Sequence, residues 1–157
     1  MTNKIVSIHP FKQEYASSFK SLNLEWIEVF FIVEQEDIQI LSNPEEYVLA
    51  KGGQIFFAVH DKKIIGTSAM IPSGPKTFEL AKMAVTKLSQ GTGVGRMLMD
   101  ACLNFAREQK ADQVFLVTND MLEPALELYK SSGFIIDLNY DDQRYERGNT
   151  KLTLQMN

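Results

Sequence analysis

Cys102 is the only cysteine in this 157-residue chain, so neither an intrachain disulfide nor a four-thiolate metal site can form. Histidine is almost as scarce: His9 and His60 stand far apart and make no metal-ligand spacing. Long apolar runs are absent too. The stretches from Val29 to Val33 and from Ile55 to Val59 fall far short of the ~20 residues of a membrane span. The first residues carry Lys4 and His9 without a continuous apolar segment, so no secretory signal is expected and a cytoplasmic location is the default. Basic clusters are missing as well. Sixteen lysines and arginines against twenty acids leave a net charge of −4, and the cations are scattered, which excludes a nucleic-acid grip. An acidic chain favours cationic or neutral partners in its general field.

With no internal repeat, low-complexity stretch or long linker, residues 1–157 are expected to form a single domain. Ile5 to Ile8 reads as a strand ended by His9-Pro10, because proline cannot continue a ladder. Leu22, Trp26, Val29, Phe30 and Val33 recur at helical spacing, and Asn43-Pro44 breaks that helical region and opens a short helix. Gln54 to His60 and Lys63 to Ile71 form a hairpin turning at Asp61-Lys62, and Thr77 to Val85 adds a third strand after a Pro-Ser-Gly-Pro turn. Val94, Met97, Leu98, Ala101, Cys102, Phe105 and Ala106 form one face of a helix. Val114 to Val117 is a short, wholly apolar central strand. A second helix follows Pro124, with Leu122, Ala125, Leu126 and Tyr129 on one face and Gly133 at its end. Phe134 to Leu138 and Lys151 to Met156 complete the sheet. The fold class is therefore α/β (α+β): a mixed, mostly antiparallel sheet of six to seven strands, with helices on both faces.

The loop Gln90-Gly91-Thr92-Gly93-Val94-Gly95-Arg96 lies between a strand and the stronger helix. Its glycines leave backbone N–H groups uncovered, and the helix start adds orphan amides and the positive end of its dipole. Such a loop suits a phosphate-bearing ligand. Arg96, a cation at the unfavourable end of the helix, fits if an anion sits there. A tight turn with a solvated arginine is the competing reading. The P-loop pattern fails, since Gly95 is followed by Arg96 and Met97 rather than Lys and Ser or Thr. The dinucleotide fingerprint fails as well, because its third glycine would come one residue later, after a first parallel strand.

With these residues in place the sequence resembles the GNAT superfamily of N-acetyltransferases. Gln90, Gly93 and Gly95 match the family's cofactor motif of Gln or Arg, two residues, Gly, one residue, then Gly or Ala. Asn119, Ala125, Leu128-Tyr129 and Gly133-Phe134 match its second motif, in the right order and at the usual separation. The resemblance covers about half the chain, from Gln54 to Phe134. It implies acetyl-CoA as acetyl donor in a cleft between the strands ending at Val85 and Val117. The pantetheine arm would pair with the backbone of Met83, Ala84 and Val85 as an added strand. The pyrophosphate would sit on the amides of Gly91, Thr92, Gly93, Val94, Gly95 and Arg96. Asn119, with Ala125 in the same motif, would meet the pantetheine arm. Tyr129 would direct its hydroxyl at the thioester sulfur as general acid, and the Val85 N–H would serve the oxyanion. Lys87 departs from the family, where proline is common two residues after the valine.

Amide formation needs a neutral amine, and an alkylamine of pKa near ~10 must first lose a proton, at about 4 kcal/mol at neutral pH. On a regular strand Glu79, Ala81, Met83 and Val85 share a face, which makes Glu79 the first candidate base; a solvated glutamate at a strand start is the alternative. Glu34, Glu36 and Asp37 are further candidates for base or amine anchor, or simply a wet helix end. Trp26, Phe30 and Phe31 are either an apolar wall beside the acceptor or plain core. Tyr129 by spacing alone is a core residue, and Cys102 on its apolar stripe is core rather than nucleophile. The acceptor is a small-molecule or peptide amine of open identity. A homodimer is compatible with a C-terminal strand that pairs with, or exchanges between, two copies, and the residues do not decide it. The rival to an enzyme is a non-catalytic acyl-CoA-binding sensor or interaction module, which would keep the glycines but tolerate loss of Tyr129 and the acids.

Overall fold

A computed structural model describes residues 5–138, 140 and 148–156. Lys4 and the side chain of Phe30, both part of the sequence reading, lie outside the described residues. The strands are β1 Ser7–Pro10, β2 Gln54–His60, β3 Lys63–Pro72, β4 Thr77–Val85, β5 Gln113–Thr118, β6 Ile135–Ile136 and β7 Thr150–Gln155. The helices are α1 Ala16–Phe30, α2 Gln35–Ser42, α3 Pro44–Tyr47, α4 Val94–Glu108 and α5 Glu123–Ser131. One seven-stranded sheet runs in the order β1-β2-β3-β4-β5-β7-β6. Among the described residues only the β4–β5 junction is parallel; the other five are antiparallel.

Most elements follow from local chemistry. Asp61 and Lys62 both take positive φ, 50° and 65°, the type I′ geometry whose twist matches a two-residue hairpin. Gly133, at φ 102°, ends α5 as a left-handed C-terminal residue. Two expectations change. β1 runs on through His9 and Pro10 instead of stopping before them. Among the described residues it is an edge strand, paired only with β2, so a proline there leaves no neighbour short of a donor. β6 is reduced to Ile135–Ile136, with Leu138 outside the strand and 91% exposed. β7, the C-terminal strand considered for pairing between copies, lies between β5 and β6 within its own sheet.

Two packed layers position everything else. On one face Phe19 and Ile27 of α1 and Leu41 of α2 bury against Ile55, Phe57 and Ala69. On the other, Met99, Cys102, Leu103 and Ala106 of α4 join Met70, Phe78, Leu80, Val114, Leu116 and Tyr129. Gly66 lets α4 approach the sheet: a Cβ there would lie 3.0 Å from Leu98 Cδ1 and 3.1 Å from Val94 Cγ1. No helix among the described residues is long and apolar enough to cross a membrane.

Candidate active site

The parallel strands β4 and β5 pair at only three positions, Thr77 with Gln113, Phe78 with Val114 and Glu79 with Phe115. β4 continues to Val85 and β5 to Thr118 without further pairing. Two strands that start together and separate leave main-chain donors and acceptors facing a gap, and buried backbone groups of that kind require partners. The gap is a cavity of about 490 Å³, lined by Leu80 to Val85 on one side and by Leu116 to Asn119 on the other.

A bulge in β4 sits at the point of separation. Ala81 pairs with Ala69 and Ala84 with Thr67, so Lys82 and Met83 together oppose Ser68. Lys82 holds φ at 56°, a left-handed conformation costing about 1–2 kcal/mol for a residue with a Cβ. The extra residue reverses the alternation. Glu79 and Ala81 therefore share their face with Ala84, while Val85 turns to the face of Leu80. That corrects the expectation of one continuous face from Glu79 to Val85. Glu79 nevertheless lines the cavity, 9% exposed.

Lys82 does not face solvent. Its Nζ lies 2.7 Å from Asp37 Oδ1, with the side chains 6% and 0% exposed. Asp37 Oδ2 in turn accepts the Glu34 N–H at 2.9 Å, and the Glu34 side chain caps the first turn of α2. Asp37 and Glu34 thus have structural partners, and neither lines the cavity, nor does Glu36. Asp37, fully buried, is therefore not part of a wet helix end. The α1 wall consists of Asn23, Trp26, Ile27 and Phe31.

At the opposite end lies the glycine loop. Gly91 and Gly93 hold φ of 77° and 92°, and among the described residues, chain neighbours aside, no atom lies within 4 Å of where a Cβ would stand. Gly93 is the N-cap of α4 and supplies no capping side chain. The Met97 N–H makes the first helical bond, to the Gly93 carbonyl at 3.1 Å, so the amides of Val94, Gly95 and Arg96 have no acceptor within the helix. Gly95 serves packing as well, since its Cβ would lie 3.3 Å from Leu128 Cδ2 on α5. Gln90 Nε2 donates to the Val85 carbonyl at 3.2 Å, tying the loop to the end of β4. The Thr92 hydroxyl donates to the Ser89 carbonyl.

Residues 16–134 match the family model described as Acetyltransferase (GNAT) family. The chain belongs to that family. A rat protein named N-acetyltransferase 8 is 32% identical over 95 residues, 57% of this chain and 43% of the rat protein. This GNAT chain thus aligns with less than half of that relative's length. The Bacillus subtilis protein YvbK, named an uncharacterized N-acetyltransferase, is 24% identical over 123 residues, 71% of this chain and 79% of its own. A GNAT acetyltransferase from Staphylococcus aureus superposes with a TM-score of 0.87 at 22% identity, covering 98% of this chain and 100% of that one. The Salmonella typhimurium protein yncA, solved with its cofactor acetyl-CoA, superposes with a TM-score of 0.77 at 15% identity, over 97% and 94% of the two chains. At these identities the agreement is one of fold.

Against the GNAT motifs, the residues named from sequence fall into two groups. Glu79, Met83, Ala84, Val85, Gln90, Gly91, Gly95, Asn119, Ala125 and Tyr129 all line the one cavity. Thr92, Gly93, Val94 and Arg96 do not; Val94 is core, 2% exposed. The Arg96 guanidinium instead donates to the hydroxyls of Ser131 and, at 3.2 Å, Ser132. Those residues end α5, where the negative end of a helix dipole receives a cation. Asn119 Oδ1 accepts the Met121 N–H at 2.9 Å, shaping the turn into α5. Tyr129 is buried against the Phe134 ring at 6.3 Å, and burial pushes its hydroxyl pKa up to about 12. The sequence reading did not single out Asn23 or Lys82. A lysine inside an otherwise apolar strand was the available signal, since a buried cation demands a partner. So was Asn23, one turn before the apolar Trp26 and Ile27.

Proposed function

We propose that the chain transfers an acetyl group from acetyl-CoA to a primary amine of a small molecule or peptide, by direct attack within a ternary complex. The observation that carries this reading is the separation of β4 and β5, which joins a glycine-rich helix start to an apolar wall through one cavity. The residues fit the donor. Uncovered amides and open space at Gly91 and Gly93 suit a diphosphate, and the side of β4 that β5 leaves open beyond Glu79 suits an amide-bearing arm that adds to a sheet edge. Bound there, acetyl-CoA supplies an activated thioester carbonyl.

The chain's own groups would do the rest. Glu79, nearly buried at the base of the cleft, accepts the proton that the amine must lose, directly or through water. The Val85 N–H, at the free end of β4, stabilises the developing oxyanion. Tyr129 remains protonated at neutral pH and donates to the departing sulfur. Its raised pKa weakens it as an acid, yet the same burial raises the basicity of a thiolate leaving into that cavity. Cys102 is fully buried in the α4 core and does not line the cavity, consistent with transfer that uses no thiol nucleophile.

Release of free thiol from acetyl-CoA across a panel of primary amines tests the proposal. Amine-dependent release supports it. Tight acetyl-CoA binding without release on any amine would replace it by a non-catalytic acyl-CoA sensor or interaction module.

A further inference from the structure

The α1 wall of the cavity holds one polar side chain with an atom to spare. Asn23 is 2% exposed and lines the cavity. Its Nδ2 donates to the Phe19 carbonyl, one turn back, at 2.9 Å. A carboxamide also carries an acceptor oxygen. With one N–H committed to the helix, Oδ1 is the acceptor left for the cavity, and among the described residues nothing donates to it. That oxygen is not sealed in the core but opens on the cavity, where a ligand N–H can take the place of water. Around it the wall is apolar: Ile27 is 2% exposed, and the Trp26 and Phe31 rings stand 6.0 Å apart at 45°.

We infer that the acceptor is a primary amine carrying an aryl group, held by Asn23 at its nitrogen and by Trp26, Ile27 and Phe31 at its apolar body. This rests on reading the cavity as the transfer site and adds the class of acceptor. A neutral primary amine has two N–H bonds and one lone pair. Donating one N–H to Asn23 Oδ1 leaves the lone pair directed to the thioester carbon. The C–N bond then forms, the C–S bond breaks with its electrons on sulfur, and the proton lost from nitrogen balances the one the thiolate gains. Asn23 is here a binding and orienting residue. A linear polyamine would leave the Trp26 and Phe31 rings unfilled, and a free amino acid would bring a charged carboxylate against Ile27 and two aromatic rings.

Trp26 is the chain's single tryptophan, so its emission reports directly on this wall. 2-Phenylethylamine, spermidine and free lysine are titrated against the full chain, with thiol release and tryptophan emission both recorded. Turnover efficiency for 2-phenylethylamine is expected to exceed that for the other two at least about tenfold, with a saturable emission change given by 2-phenylethylamine alone. Asn23→Leu should raise the amine KM about tenfold and leave the acetyl-CoA KM unchanged. Preference for spermidine or lysine, or an amine KM unmoved by Asn23→Leu, overturns the inference. If acetyl-CoA binds but no amine is acetylated, the catalytic reading fails separately. The wild-type emission then decides: a saturable change with 2-phenylethylamine supports the aryl-amine wall, and its absence overturns it.

Discussion

Glu79 and Tyr129 were singled out by different routes, one from strand alternation and the other from a family motif, and they meet in one cavity. Their variants should separate by pH. Glu79→Gln is expected to lower turnover at pH 7 by about 10²-fold, with partial recovery at high pH as the amine deprotonates unaided; a pH–rate profile checks this. Tyr129→Phe should depress kcat and leave the acetyl-CoA KM in place, whereas an equal loss of both would mean that the ring acts through packing. Burial also makes the fold sensitive to alkali. Cys102 and Tyr129 are raised by desolvation from 9.0 and 10.0 to about 12. Both stay neutral in the folded chain while the unfolded chain loses their protons. The stability they contribute is thus complete below pH 9 and falls away as pH rises from there toward 12. Denaturant midpoints measured from pH 7 to 11 should drop, and Cys102→Ala should shallow the decline.

The elements divide by whether their cause is local. The β2–β3 hairpin, α4 and α5 stand in the sequence because their signals lie within a few residues: a two-residue turn, an apolar stripe, a proline at the start and a glycine at the end. The face of β4 was not legible in that way. Its alternation breaks at Lys82, which takes a left-handed conformation and pairs with Asp37, 45 residues away, and no window on the strand contains that partner. Arg96 illustrates the same limit, since the serines that receive it lie on α5 and not in its own loop. Removing one partner of a buried ion pair leaves the other charge uncompensated. Lys82→Met should therefore cost about 3–5 kcal/mol of stability, read as a fall in denaturant midpoint, and Lys82→Met with Asp37→Leu should recover much of it. Gly95→Val should strain the α4–α5 contact at Leu128 by about 1–3 kcal/mol.

At the scale of the whole molecule, a sheet with one parallel junction makes the site. β1 to β4 carry the α1–α2 wall, β5 to β7 carry α5 and Tyr129, and the two sets join where β4 and β5 part company. The sequence could supply the order of these elements and the motifs on either side of the cleft. It could not supply how few residues pair across it, because that depends on the bulge and on α1 and α2 packed behind it. A ligand spanning both sets should also stabilise the fold, by about 2.7 kcal/mol at a hundredfold excess over Kd. The most direct test is a calorimetric titration of the full chain with acetyl-CoA and, in parallel, with acetyl-pantetheine, which keeps the thioester but lacks the diphosphate. One-to-one binding of acetyl-CoA is expected, at least about a hundredfold tighter than acetyl-pantetheine, as charge-assisted bonds to the amides before Met97 require. Equal affinities, or no heat with acetyl-CoA, would contradict a diphosphate held at the start of α4.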